Sequence, residues 1–216
     1  MQPLDAIRET GVVAIVRHVP ADRIGPLARA LQAGGVRAIE VTLNTEGALE
    51  AIARLAAERP ADVAIGAGTV MTAGEVASAV GAGATFIVCP HTDDEVIAAA
   101  RERGVPVIPG AYTPSEIVRA WRAGAAMVKL FPASNGGPKY LREVRAPLAD
   151  IPIVPTGGVG LDTAADFVRA GAVAIGLGSA LTPRDRIAAG DWQAITDLAA
   201  RFVAAVREGR AGSSRA

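Results

Sequence analysis

Apolar residues in this chain gather in short unbroken runs, and the runs recur at regular spacing. Eight of them stand out: Val12–Val16, Ala38–Leu43, Val63–Ala67, Thr85–Val88, Val105–Ile108, Ala126–Leu130, Ile151–Pro155 and Val173–Leu177. They are rich in β-branched residues and show little polar alternation, the pattern of strands buried on both faces of a parallel sheet. A polar turn follows each run, then an Ala/Leu/Arg/Glu-rich helical stretch such as Ile24–Ala33, Glu46–Glu58 or Asp191–Val206. Glycine closes most of these stretches, at Gly34, Gly81, Gly104, Gly124 and Gly171. It suits a helix end because it enters the left-handed region without a Cβ penalty. Thr92 with Glu95, and Thr113 with Glu116, have the spacing of a capping box.

Eight strand–helix units of roughly 25 residues each predict a single-domain (βα)8 TIM barrel. We expect it to span residues 1–208, with a disordered polar tail at 209–216. A doubly wound open sheet would need fewer units and a glycine-rich dinucleotide turn after the first strand. The chain has Val16, Arg17 and His18 there instead.

Composition narrows the function. The 216 residues include 22 basic and 22 acidic side chains, a formal net charge of zero. That argues against a nucleic-acid partner, which calls for a basic excess, but leaves room for a small anion held by a few local donors. The lone Cys89 excludes an internal disulfide. The opening MQPLDAIRETG has no basic-then-apolar signal pattern, and no apolar run could span a bilayer. We therefore expect a cytoplasmic protein with no membrane association.

In the expected fold the active site forms where strands end and the following loops begin. Those positions hold Arg17, Glu40, Thr42, Asn44, Thr69, Pro90, Pro109, Lys129, Phe131, Thr156, Gly157, Gly158, Gly178 and Ser179. Lys129 is the most informative. The chain has only two lysines, and this one interrupts the apolar segment Ala126–Pro132. Burial disfavours an ammonium, and a neutral amine can attack a carbonyl carbon to form an imine. The other lysine, Lys139, sits at a helix start after a glycine-rich loop and reads as a surface residue. Strand alternation puts Glu40 and Thr42 on one side, facing the interior near the mouth, where a carboxylate can move protons.

Arg17 offers a planar donor fork for a carboxylate or phosphate. Thr156, Gly157 and Gly158 after the seventh run, with Gly178 and Ser179 after the eighth, fall where such barrels hold phosphate. His18 and His91 lack metal-ligand spacing and read as rim hydrogen-bonding residues, Cys89 as a small core residue, and Trp121 and Trp192 as packing residues on helices.

Together these segments resemble the 2-keto-3-deoxy-6-phosphogluconate aldolase / 4-hydroxy-2-oxoglutarate aldolase family over residues 11–207. The resemblance is carried by Val13–Arg17, Gly35–Leu43, Ile65–Val70, Phe86–Pro90, Pro109 with Gly110, Val128–Pro132, Val154–Val159 and Gly176–Ser179. It implies a class I aldolase that cleaves 2-keto-3-deoxy-6-phosphogluconate, or its galactonate epimer, to pyruvate and glyceraldehyde 3-phosphate. It also admits cleavage of 4-hydroxy-2-oxoglutarate to pyruvate and glyoxylate. By the resemblance, Lys129 forms the Schiff base and Glu40 transfers protons. Arg17 and Thr69 hold the pyruvate half, Gly157, Gly158 and Ser179 face the phosphate, and Phe131 and Pro90 shape the pocket. No metal or organic cofactor is implied, and a homotrimer is. Asn44 departs from the arginine of many gluconate-type members and is similar to the phosphogalactonate branch. A phosphosugar isomerase or synthase without an imine, and a non-catalytic metabolite-binding barrel, are the rival readings.

Overall fold

The computed structural model describes residues 2–213. Helix α1 (Pro3–Thr10) precedes strand β1 (Val12–Val16), and strands and helices then alternate: α2 (Ala21–Ala33), β2 (Ala38–Thr42), α3 (Ala48–Glu58), β3 (Ala64–Gly68), α4 (Ala73–Gly81), β4 (Phe86–Val88) and α5 (Asp94–Glu102). The second half comprises β5 (Val107–Ile108), β6 (Gly110–Ala111), α6 (Pro114–Ala123), β7 (Val128–Leu130), α7 (Gly137–Arg145), β8 (Ile153–Pro155), α8 (Leu161–Arg169), β9 (Ile175–Leu177), α9 (Arg184–Ala189) and α10 (Trp192–Ser213). All eight expected strands are found, most of them a residue or two shorter.

The strands form two curled parallel sheets, one in the order β5-β4-β3-β2-β1-β9 and one in the order β6-β7-β8. The expectation of one eight-stranded ring is corrected to this extent. Its physical cause is Pro109, the residue after the fifth expected strand, which has no N–H to donate and stands between β5 and β6. Its carbonyl still accepts from the Lys129 amide at 2.8 Å. A parallel bridge between Thr156 and Gly176 joins the far edges of the two sheets.

Alternation within each strand separates two buried layers. Val12, Ala14, Val16, Ile39 and Val41 pack outward against the helices. Val13, Ala38, Ala64, Phe86, Met127, Val154 and Ala174 form a second, inner cluster. With both faces buried, the strands read as unbroken apolar runs. Helix α1, which the hydrophobic pattern did not suggest, adds Ala6 and Ile7 to the inner cluster and so closes the end away from the strand C-termini.

Two further expectations are corrected. Helix α10 runs on through Gly209 to Ser213, past the point where the tail was to begin; residues 214–216 lie outside the described residues. At Gly209 a Cβ would crowd Val168 and the Ala165 carbonyl, so glycine permits the close contact with α8. Arg210 then ties the helix to the Arg8, Glu9 and Val173 carbonyls. The capping box at Thr113 and Glu116 is present, but the one at Thr92 is not. Asp93 is the N-cap of α5, accepting from the Val96 amide, while Thr92 donates to the Gly110 carbonyl. A capping box not foreseen joins Thr72 and Glu75.

Candidate active site

Two residues beyond the inner apolar layer, the same alternation brings in chemistry. Ala38 is followed on its side by Glu40, Met127 by Lys129, Val154 by Thr156, and all three polar side chains are buried. A lysine and a glutamate share the inner face of a closed apolar floor, where desolvation makes charge costly. Burial pushes the Glu40 carboxyl above its ordinary value of 4.5, and the opposing pulls of Lys129 and then Arg17 do not reverse it. Glu40 Oε1 has no hydrogen-bond partner. An unsatisfied buried carboxylate oxygen is expensive in a native protein and marks a group kept free for a ligand or water.

The space for that carboxylate comes from the neighbouring strand. A Cβ on Gly68 would overlap Glu40 Oε1. Gly68→Ala is therefore expected to displace the carboxylate by about 1 Å and lower kcat on the order of 10²-fold. Circular dichroism separates this from unfolding, and a variant that folds with unchanged kcat would refute it.

Lys129 Nζ lies 5.2 Å from the centroid of the Phe131 ring, and Phe131 is 39% exposed, so amine and ring form a path from floor to solvent. Arg17, at the end of β1, donates to Thr69 Oγ1 at 3.2 Å. His18 and Thr69, beside and opposite Arg17, adopt positive φ of 52° and 57°, a conformation that costs non-glycine residues energy and clusters at functional sites. The His18 amide donates to Thr45 Oγ1, and Thr45 shares a hydrogen bond with Thr42. Thr42 thus braces the loops and does not line the mouth.

A cavity of about 400 Å³ opens beside this group, bounded by Arg17, Phe131, Thr156 and the two glycine loops. Gly157, Gly158, Gly178 and Ser179 all lie on it, as the sequence reading expected. It also takes in Ile15, Thr182 and Arg184, which that reading missed. Thr182 was legible only as one more polar loop residue, and Arg184 as one of many arginines. Asn44 and Pro90 are not brought to the cavity: Asn44 is exposed in the turn after β2, and the Pro90 carbonyl backs against Gly110. A wider depression of about 830 Å³ between α5 and α6 is open and holds none of the strand-end residues.

The remaining candidates fall out. Burial pushes the Cys89 thiol up to about 12, so it supplies no nucleophile at neutral pH. His91 does not make the rim hydrogen bond expected of it: its Nδ1 has no partner, and its other nitrogen is 3.9 Å from Asp93. His18 engages Thr45 only through its backbone. Lys139 is exposed beside Glu143. Trp121 is 38% exposed, against the packing role expected of it, whereas Trp192 does pack against the core.

The family model described as "KDPG and KHG aldolase" matches residues 4–198. The chain belongs to the KDPG and KHG aldolase family. It is 41% identical over 201 residues to the 2-dehydro-3-deoxy-phosphogluconate aldolase of Pseudoalteromonas atlantica, covering 93% of each chain. Among solved structures it is similar to a native KDPGal structure, with a TM-score of 0.86, 32% identity and coverage of 93% of this chain and 96% of that one. It is also similar to the KDPG aldolase of Legionella pneumophila with pyruvate captured at low pH as a covalent carbinolamine intermediate. There the TM-score is 0.84 and the identity 31%, covering 94% of this chain and 98% of that one. As a member of this aldolase family the chain is a carbon–carbon lyase, and no helix among the described residues is long and apolar enough to cross a membrane.

Proposed function

We propose that this aldolase cleaves 2-keto-3-deoxy-6-phosphogluconate to pyruvate and glyceraldehyde 3-phosphate through a Schiff base on Lys129. The observation that carries the reading is the buried Lys129 amine sharing the inner face with Glu40, whose Oε1 is unpartnered. The covalent pyruvate adduct of the Legionella relative supports it. Lys129 Nζ attacks the C2 ketone, and loss of water leaves an iminium that draws electrons from C3. Glu40, directly or through a water, takes the C4 hydroxyl proton as the C3–C4 bond breaks. Glyceraldehyde 3-phosphate departs, the enamine is protonated at C3, and hydrolysis returns pyruvate and the free amine.

Arg17 and Thr69 take the carboxylate, Gly157, Gly158, Gly178 and Ser179 the phosphate, and Phe131 and Thr156 shape the walls. The two sheets act together as one (βα)8 barrel in a single domain that includes all of α10. Working as a cytoplasmic homotrimer is part of the same reading and rests on family resemblance. So is a role for Asn44 in discriminating the C4 epimers.

A lactate-dehydrogenase-coupled assay tests the reaction. Pyruvate should appear from the phosphogluconate acid with a higher kcat/KM than from 4-hydroxy-2-oxoglutarate, because the glycine-lined cavity is used only by the phosphorylated substrate. No pyruvate from the phosphorylated acid would end the proposal.

A further inference from the structure

Granting that the glycine-lined cavity receives the substrate's phosphate, its wall carries one group that no part of that assignment uses. We propose that Arg184 is the phosphate's cationic partner and so sets the preference for phosphorylated over unphosphorylated keto acids. A phosphate monoester carries about −1.5 to −2 charges near neutral pH, and the C1 carboxylate adds another. The glycine amides and Ser179 hydroxyl are neutral donors. Arg17 is tethered across the mouth to Thr69, on the β3 side. Arg184 is the other arginine bordering the cavity, and it stands on the side of the second glycine loop.

The loop that presents it is rigid. The Gly178 carbonyl accepts from the Leu181 amide at 2.8 Å and the Thr182 amide at 2.9 Å. It accepts again from Thr182 Oγ1 at 3.0 Å. Thr182 is buried, with Oγ1 also 3.4 Å from the Ile15 carbonyl on β1. The turn is therefore pinned to the barrel wall, and Pro183 fixes the entry into α9. The guanidinium itself is uncommitted. Arg186, two residues on, pairs with Asp191 at 2.6 Å, whereas the Arg184 side chain has no ion-pair or hydrogen-bond partner among the described residues. An exposed guanidinium without a carboxylate, on a stiff loop bordering the glycine-lined cavity, is placed to make bidentate contact with phosphate oxygens.

The test compares Arg184→Gln and Arg184→Lys with the wild type on 2-keto-3-deoxy-6-phosphogluconate and 4-hydroxy-2-oxoglutarate. In R184Q the ratio of kcat/KM between the two substrates should fall roughly 10- to 100-fold. The fall should come through a raised KM for the phosphorylated acid, and R184K should recover part of it. An equal loss on both substrates, or no change in the ratio, overturns the proposal. If the wild type cleaves the hydroxy-oxo acid and not the phosphorylated one, the parent reading fails on its own. Calorimetry with glycerol 3-phosphate then decides for Arg184 separately: the wild type should bind it and R184Q roughly tenfold more weakly. No binding by the wild type, or equal binding by both, overturns the assignment.

Discussion

Lys129→Met is expected to abolish pyruvate release, by on the order of 10⁴-fold or more, while leaving a folded protein. The loss is large because the amine is the bond-forming atom of the proposed mechanism, and no neighbouring group can replace a covalent nucleophile. Methionine keeps the aliphatic volume of a side chain that is only 4% exposed, so no cavity opens in the inner layer. Losing Lys129 leaves the buried Glu40 carboxyl without its basic neighbour, a cost the carboxyl limits by taking up a proton. Thermal melts should therefore show a cooperative K129M transition at or below the wild-type midpoint. Borohydride added with pyruvate should leave one reduced pyruvyl adduct on Lys129 in the wild type and none in the variant. The second lysine is an internal control, because Lys139 is exposed on helix α7 beside Glu143. An adduct on Lys139, or retained pyruvate release by a folded K129M, would refute the Schiff-base role.

Why this lysine could be found from sequence, and Arg184 could not, is a matter of contrast. A cation inside an apolar strand is anomalous against its neighbours, and the period of two along a strand states which residues share its side. That logic carried Glu40 and Lys129 to one inner face, as the structure has them. It failed where the decisive contact crosses between strands or loops. Thr42 has the same parity as Glu40, yet it spends its hydroxyl on the Val16 carbonyl and Thr45, a loop contact that no strand period encodes. Gly68 makes room for a carboxylate one strand away, which nothing in its own segment reveals.

The fold was legible for a similar reason: eight apolar runs are a strong repeated signal. Helix α1 was not, because it is only eight residues long and stands before the first apolar run, outside the strand–helix repeat, with Leu4, Ala6 and Ile7 on the inner cluster. Pro109 follows the apolar run Val105–Ile108, and its missing N–H parts that strand from the short β6 (Gly110–Ala111), which no apolar run announces. Arg184 is one exposed arginine on a chain with twenty. Only the cavity singles it out.

Glu40→Gln should lower kcat by roughly 10²- to 10⁴-fold, with a smaller effect on KM, and should still allow the pyruvyl adduct to be trapped. Glutamine keeps the size of the side chain but cannot take the C4 proton, so imine formation survives and bond cleavage does not. The pH dependence separates this from simple damage. Burial holds the wild-type carboxyl above 4.5, so the acid limb of kcat/KM should fall at a pH higher than an ordinary carboxylate gives and should vanish in E40Q.

Stability must change in step. A carboxyl with a raised folded value binds a proton that the unfolded chain has already released. Its contribution is therefore full below 4.5 and is lost as pH rises through the folded value. Glutamine has no such term, so the stability of E40Q relative to wild type should increase with pH across that window and then level off. Urea denaturation at several pH values reads the difference directly. A pH-independent gap would mean that Glu40 titrates like a solvated carboxylate, and an acid limb surviving in E40Q would assign the proton transfer to another group.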